Sequence, residues 1–336
     1  MINTRHIIAL NEISGCGAST IRQIVSESQK LNQTRFSDSE FMEFVNDCIS
    51  AGLKRCRLKT LSKSDFFDAI SHADRLIDKS NRHGIKMVSY VEKEFPVQLL
   101  STVNEDGKAD VPLLLYYKGD LSVTKKQGIA IIGTREPTKE GIFAGEYFGE
   151  KLAEYGFNIV SGLAIGCDTA GHHGALKCDN GKTTAFLAHG LDSVYPPENE
   201  KLAAEIVERG GLLMSEYPIG DAVNRYYLVA RDRLQAALSA ATIVIQTGIH
   251  GGTNHAANTT LISKKPLFCV KYNDSLLMSH DNVVGNKTLV AKGAKFITSC
   301  DFVDIIKQSL GTPEIINSEI NDKPDDEPQE LLLFND

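Results

Sequence analysis

Gly128-Ile129-Ala130-Ile131-Ile132-Gly133, followed by Thr134-Arg135, decides how this chain is read. It is a short apolar run bounded by glycines, suited to a strand buried on both faces of a parallel sheet. An amphipathic stretch follows and ends near Gly156, where glycine accepts the left-handed C-cap. The alternation then repeats. Strands are predicted at 157–161, 183–187, 212–214, 242–247 and 267–270, and helices at 168–177, 198–209, 231–240 and 253–264. Asp168 is the predicted N-cap of the first of these helices. Strands alternating with helices predict an α/β fold built on a parallel, doubly wound sheet, whose ligands bind at the carboxyl ends of the strands.

Outward from this centre the chain divides into three parts. Residues 1–84 read as a helical domain, 85–310 as the α/β domain, and 311–336 as an acidic tail too rich in Pro, Asp and Glu to pack a core. The 336 residues are 42% apolar, which supplies a sizeable core and excludes a disordered chain. No apolar run is long enough to span a membrane, and the first residues lack a secretory pattern. Seven cysteines without a CxxC pair fit reduced thiols, so a cytoplasmic protein is expected and a zinc ribbon is not. The net charge of −7 is held by the tail, where eight acids face the single base Lys323. Residues 1–310 are therefore neutral, and a neutral body can carry a basic groove, because a polyanion responds to the local field.

Three loops at the predicted strand ends share a chemistry. They carry Gly133-Thr134-Arg135, then Ser161-Gly162-Leu163-Ala164-Ile165-Gly166-Cys167-Asp168, then His250-Gly251-Gly252-Thr253. Glycines let backbone approach a ligand closely, and helix N-termini present free N–H groups. A tight strand-to-helix turn accounts for the glycines of any one loop. Three such loops on one edge, one with an arginine, point to an anion site, most simply for phosphate. Arg135, Lys182, Lys201, Arg231 and Arg233 are the cations expected near that edge, with Tyr195, Tyr226 and Tyr227 as stacking platforms for bases.

Several chemistries are disfavoured. Gly181-Lys182-Thr183 ends like a Walker A loop, but Leu176 stands where its first glycine belongs, and the triplet enters a strand rather than leaving one. No GxGxxG follows the first strand, and no GxSxG elbow is present. Asp168 and His172 read as structural, a cap and a packed histidine. His172 and His173 point to different helix faces and make a poor chelate. No catalytic residue, metal ligand or cofactor is assigned.

The same segments resemble the DprA/Smf family of bacterial DNA-processing proteins. Residues 161–172 match the family's S-G-x-A-x-G-[IC]-D-x-x-x-H signature. Gly133-Thr134-Arg135 resembles its G-S-R turn, Gly190-Leu191-Asp192 with Tyr195-Pro196-Pro197-Glu198-Asn199 its G-L-D…Y-P-x-x-N, and residues 210–218 its G-G-x-x-x-S-E-Y-P. The likeness runs over roughly 85–300, the size of one large α/β domain. It implies an extended Rossmann-like fold that binds single-stranded DNA without hydrolysing it, forms a homodimer and loads the RecA recombinase onto that DNA, as in natural transformation. By position, the DNA-contacting pocket would include Arg135 and Lys182, with Asn199 and Lys201 beside them. The chain departs from the family at Asp232, where F-P-x-R-N-R has Asn, and at 311–336, too short for the C-terminal winged helix of many members. The resemblance thus implies a divergent member, and phage defence is an alternative role.

Two additions lie outside that core. Ile13-Ser14-Gly15-Cys16-Gly17, between two short helices, resembles a helix–hairpin–helix turn, and packing of a helical bundle explains it equally well. The tail ends in Leu331-Leu332-Leu333-Phe334, similar to a sliding-clamp-binding peptide, although it equally suits docking on its own body or covering the groove. A rival reading of the whole is a nucleotide-sensing Rossmann-like protein. Gly251-Gly252-Thr253 resembles part of the P-G-G-x-G-T loop of nucleotide hydrolases, but 253–264 lacks the acid that hydrolysis needs.

Overall fold

The structure, a computed structural model, describes residues 2–31, 35–54, 56–300 and 302–311. Four helices come first: α1 (Thr4–Glu12), α2 (Ala18–Ser28), α3 (Asp38–Ser50) and α4 (Lys63–Arg82). Their starts are written in polar residues. Ser37 accepts from the Glu40 amide while Glu40 reaches back to the Ser37 amide, a reciprocal capping box, and Ser62 caps α4. Ile7, Leu10, Ile21, Phe41 and Phe66 are fully buried in their shared core. Arg5 bridges Asp38 and Asp74 and so ties α1 to α3 and α4.

The remainder is one nine-stranded sheet among the described residues. Its strands are β1 (Lys86–Ser89), β2 (Leu114–Gly119), β3 (Gly128–Ile132), β4 (Asn158–Ser161), β5 (Lys182–Phe186), β6 (Leu212–Ser215), β7 (Ser239–Val244), β8 (Leu267–Val270) and β9 (Lys295–Ile297). The helices α5 (Lys139–Glu154), α6 (Cys167–Lys177), α7 (Glu200–Glu208), α8 (Arg225–Leu238), α9 (Thr253–Ile262), α10 (Gly285–Ala291) and α11 (Phe302–Leu310) connect and cover them. The order is β1-β2-β6-β5-β4-β3-β7-β8-β9. Neighbours from β6 to β9 are parallel, and β2 is antiparallel to both β1 and β6. This is the expected mostly parallel α/β architecture. Every residue of β3, β4, β6 and β8 is buried, and β3 and β8 read as continuous apolar runs for that reason, while Asn158 and Ser161 of β4 satisfy their side chains by buried hydrogen bonds. Ile129, Ile131, Phe148, Leu152 and Phe268 pack with Phe302 and Ile306 in one core cluster, while Ile132, Val244, Ala257 and Leu289 form another.

The chain winds from β3 outward to β4, β5 and β6, then returns to lay β7 on the other side of β3. The strand order therefore reverses between β3 and β7, and such a reversal opens a crevice at the carboxyl ends. Gln246 holds the crevice in register. Its carbonyl accepts from the Thr134 amide at 2.7 Å, and its side chain exchanges two bonds with Thr138, each of 2.9 Å.

Two of the boundaries that differ from the sequence reading bear on the site. α6 starts at Cys167 with Gly166 as its N-cap, so Asp168 lies inside the first turn and does not cap. α8 starts at Arg225, six residues before the predicted start, because the Asn224 side chain accepts from the Tyr227 amide at 2.9 Å. Among the described residues, no helix is long and apolar enough to cross a membrane.

Candidate nucleic-acid interface

A cavity of about 440 Å³ opens in the crevice between β3 and β7. It is lined by Gly133, Thr134 and Arg135 after β3, by Ala164 and Asp168 after β4, and by Gly251, Gly252 and Thr253 after β7. The three loops thus meet in one concavity. Its remaining wall is the face of α8 formed by Arg225, Leu228, Val229, Asp232 and Gln235, with Arg231 beside it. That spacing is one stripe of a helix.

The loop after β4 spends its polar groups on itself. Asp168 accepts from the amides of Gly162 and Ala164, at 3.1 and 3.3 Å, so those N–H groups are not offered to a ligand. Ser161 is buried and donates to the Ile131 carbonyl at 2.6 Å. Asn199 donates to the Leu163 carbonyl and to Thr169 Oγ1, both at 2.8 Å, and fastens the loop from below. Burial pushes the Asp168 carboxyl up, opposed by Arg231 and by the two amides. Arg231, only 5% exposed, donates to the carbonyls of Gly162 and Phe186 and, through Nε, to Asp232 at 2.9 Å. It staples the ends of β4 and β5. A Cβ added to Gly162 would overlap the guanidinium, so this glycine is required by close approach.

The predicted cations divide. Arg135 is exposed at the mouth of the cavity, and Arg231 lies in its wall. Lys182 is the first residue of β5, at the amino edge of the sheet, and its Nζ donates to the Arg209 carbonyl at 2.7 Å. It does not share the concavity. A parallel strand puts its first residue at the edge opposite the site, and only a placement in the sheet reveals this. Arg233 also points elsewhere. It grips Glu216 with two bonds of 2.6 and 2.9 Å and Asp110 with one of 2.6 Å. It lines a larger cleft of about 660 Å³ between α1, α2, α4 and the sheet, where these acids already neutralise it. Lys201 is exposed in the first turn of α7 and is not among the residues lining the cavity.

Other groups were not expected here. Arg225 faces the cavity, and a helix read as starting at 231 hides it. His255 lines the cavity and pairs with Glu105. Tyr227 is stacked on Tyr217, with centroids 3.7 Å apart, whereas Tyr226 is 82% exposed. Tyr195 lines a small pocket with Arg135, Ile165 and Arg231. Leu331, Leu332, Leu333 and Phe334 lie outside the described residues, as does the rest of the tail beyond Gly311.

His172 is structural. It is fully buried, shares a 2.6 Å hydrogen bond with Thr183 Oγ1, and burial lowers its pKa to about 3. The unfolded chain binds a proton on this ring near pH 6.5, the folded chain only near 3. Stability is therefore expected to fall as pH drops from about 6.5 towards 3. Urea unfolding at pH 7 and pH 5 checks this, and His172→Gln should reduce the pH dependence.

The concavity thus brings Arg135, Arg225 and Arg231 together with Asp168 and Asp232. Residues 86–308 match the family described as DNA recombination-mediator protein A. Over 192 residues the chain is 35% identical to Protein Smf of Synechocystis, a stretch covering 56% of this chain and 47% of that relative, so the likeness spans about half the relative's length. A crystal structure of DNA processing protein A from Streptococcus pneumoniae superposes with a TM-score of 0.69 at 25% identity, covering 90% of this chain and 98% of that one. A structure concerned with the single-stranded DNA binding mode of DNA processing protein A from Helicobacter pylori gives 0.55 at 28% identity, covering 68% and 96%.

Proposed function

Because the chain belongs to the DNA recombination-mediator protein A family, we propose that it binds single-stranded DNA by its phosphates, without reading sequence and without turnover. The observation that supports this most is the meeting of three strand-end loops with Arg135, Arg225 and Arg231 in one cavity at the sheet reversal. Phosphate contacts of this kind hold a strand in place and carry no base information. The absence of turnover is supported by how the reactive groups are spent: Asp168 on loop amides, His172 in the core, His255 on Glu105. The family's description as a recombination mediator and relatives named for DNA processing support a role in handling DNA for recombination. In the role proposed, the bound strand passes to RecA recombinase, during natural transformation or recombination in the cytoplasm, with the protein acting as a homodimer.

Arg135→Ala should weaken oligo-dT binding about tenfold and reduce the dependence of log K on log salt by about 0.7, the share of one phosphate on a single strand. Lys182→Ala should bind as wild type, because Lys182 lies on the other edge. Fluorescence anisotropy over a salt series decides between them. Equal affinity for Arg135→Ala and wild type at every salt concentration counts against the cavity as the DNA site. The cavity's volume also suits a mononucleotide, which supports nucleotide sensing as a second reading. A nucleotide that raises the melting temperature while oligo-dT does not would favour it.

A further inference from the structure

Asp232 is the one acid that the cavity presents on α8. Only 15% of its side chain reaches solvent. Its Oδ1 accepts from Arg231 Nε at 2.9 Å and from Gln235 Nε2 at 2.9 Å. Arg231 in turn gives its Nη1 to two neutral carbonyls, so Asp232 directly offsets the charge of the most deeply held cation of the site. A phosphate entering the cavity meets Arg135 and Arg225 with their charge intact, and Arg231 with its charge cancelled.

We propose that Asp232 is a built-in counter-charge that lowers the cavity's affinity for DNA phosphate at neutral pH and releases it on acidification. This rests on the cavity being the DNA site. The groups that face Asp232 are Arg231 and Gln235 on its own helix, Asp168 from α6 and His255 from α9, with Arg135 on the facing loop and Arg225 about two helical turns away. Burial is the main cause that lifts the Asp232 carboxyl to about 6. Asp168 lifts it further, and Arg231 and His255 oppose. Above that value the carboxylate masks Arg231. Below it the acid is neutral, and the guanidinium field reaches the ligand. A bound phosphate also repels the carboxylate, so binding near neutral pH should take up a proton at this residue.

Asp232→Asn is a clean probe, because both hydrogen bonds use Oδ1, which asparagine keeps. The experiment measures oligo-dT affinity from pH 5.5 to 8 at fixed salt, with proton uptake obtained by calorimetry in buffers of different ionisation enthalpy. Wild type should bind about tenfold tighter at pH 5.5 than at pH 8, the size of one unmasked charge roughly 12 Å from a phosphate at an effective dielectric constant of about 20. D232N should bind at pH 8 as wild type does at pH 5.5, with a flatter profile and less proton uptake. D232N retains Asp168 and His255, so whatever slope remains in D232N belongs to groups other than Asp232. A melting curve of D232N checks the fold, and His255→Gln serves as the second variant: its pH dependence should persist. Equal affinity and equal proton uptake in wild type and D232N, or loss of the pH dependence in His255→Gln, overturns this inference and leaves the DNA site standing. Failure of both wild type and D232N to bind at any pH overturns the DNA site and this inference together.

Discussion

Arg231→Ala is expected to unfold more easily by about 3–5 kcal/mol and to lose measurable DNA binding, the range seen when one partner of a buried ion pair is removed. The guanidinium reaches three places at once: the Gly162 carbonyl at the end of β4, the Phe186 carbonyl at the end of β5, and Asp232 on its own helix. Alanine leaves two buried carbonyls without donors and the carboxylates of Asp168 and Asp232 without their shared cation. Each unpartnered polar group costs about 1–3 kcal/mol. Arg231→Lys restores a charge but not a planar fork that serves three acceptors, so it should recover only part of the loss. Urea denaturation, read beside oligo-dT binding, gives both numbers. Wild-type stability in Arg231→Ala would show that the staple is dispensable.

Gly174→Val should have the second largest effect, about 2–3 kcal/mol of stability with binding reduced in parallel. α5 and α6 cross at backbone distance along a seam of glycines. A Cβ on Gly174 would overlap the Glu146 carbonyl, and one on Gly149 would overlap the Gly171 carbonyl. Neither obstacle is the flexible end of a side chain, so the helices themselves have to part. α6 carries Asp168 into the cavity wall, and its displacement moves the loop after β4 away from the loop after β3, where the Cys167 amide donates to the Thr134 carbonyl at 3.1 Å. Gly174→Ala should show the same effect in smaller measure. Thermal melting and anisotropy on the same samples test whether stability and affinity fall together.

About half of the site is legible in the sequence. Local patterns state which residues form a strand-end loop, because glycine, a following helix and an apolar strand are all encoded within a few positions. Hence the sequence puts Gly133-Thr134-Arg135, the loop from Gly162 to Asp168 and Gly251-Gly252-Thr253 on one edge, and the first and third meet there with Ala164 and Asp168 of the second. The cations were less legible. Lys182 sits next to a glycine and looks like a phosphate ligand, yet it opens a strand and faces the opposite edge. Arg231 and Arg233 are two residues apart, and a helix turns them roughly 200° from each other, one into the cavity and the other onto Glu216. Arg225 joins the site only because Asn224 starts the helix a turn and a half early.

The alternation of buried runs and amphipathic helices determined by itself that this chain builds a mostly parallel sheet and that its glycine loops gather at the carboxyl edge, since both follow from spacings of a few residues. The tertiary structure alone decided that the reversal falls between β3 and β7, that Asp168 and Asn199 spend themselves on the loop, and that Arg231 is a staple paired with Asp232. Those are partnerships between residues tens of positions apart. Such contacts exist only once the sheet has an order, and no local period encodes that order.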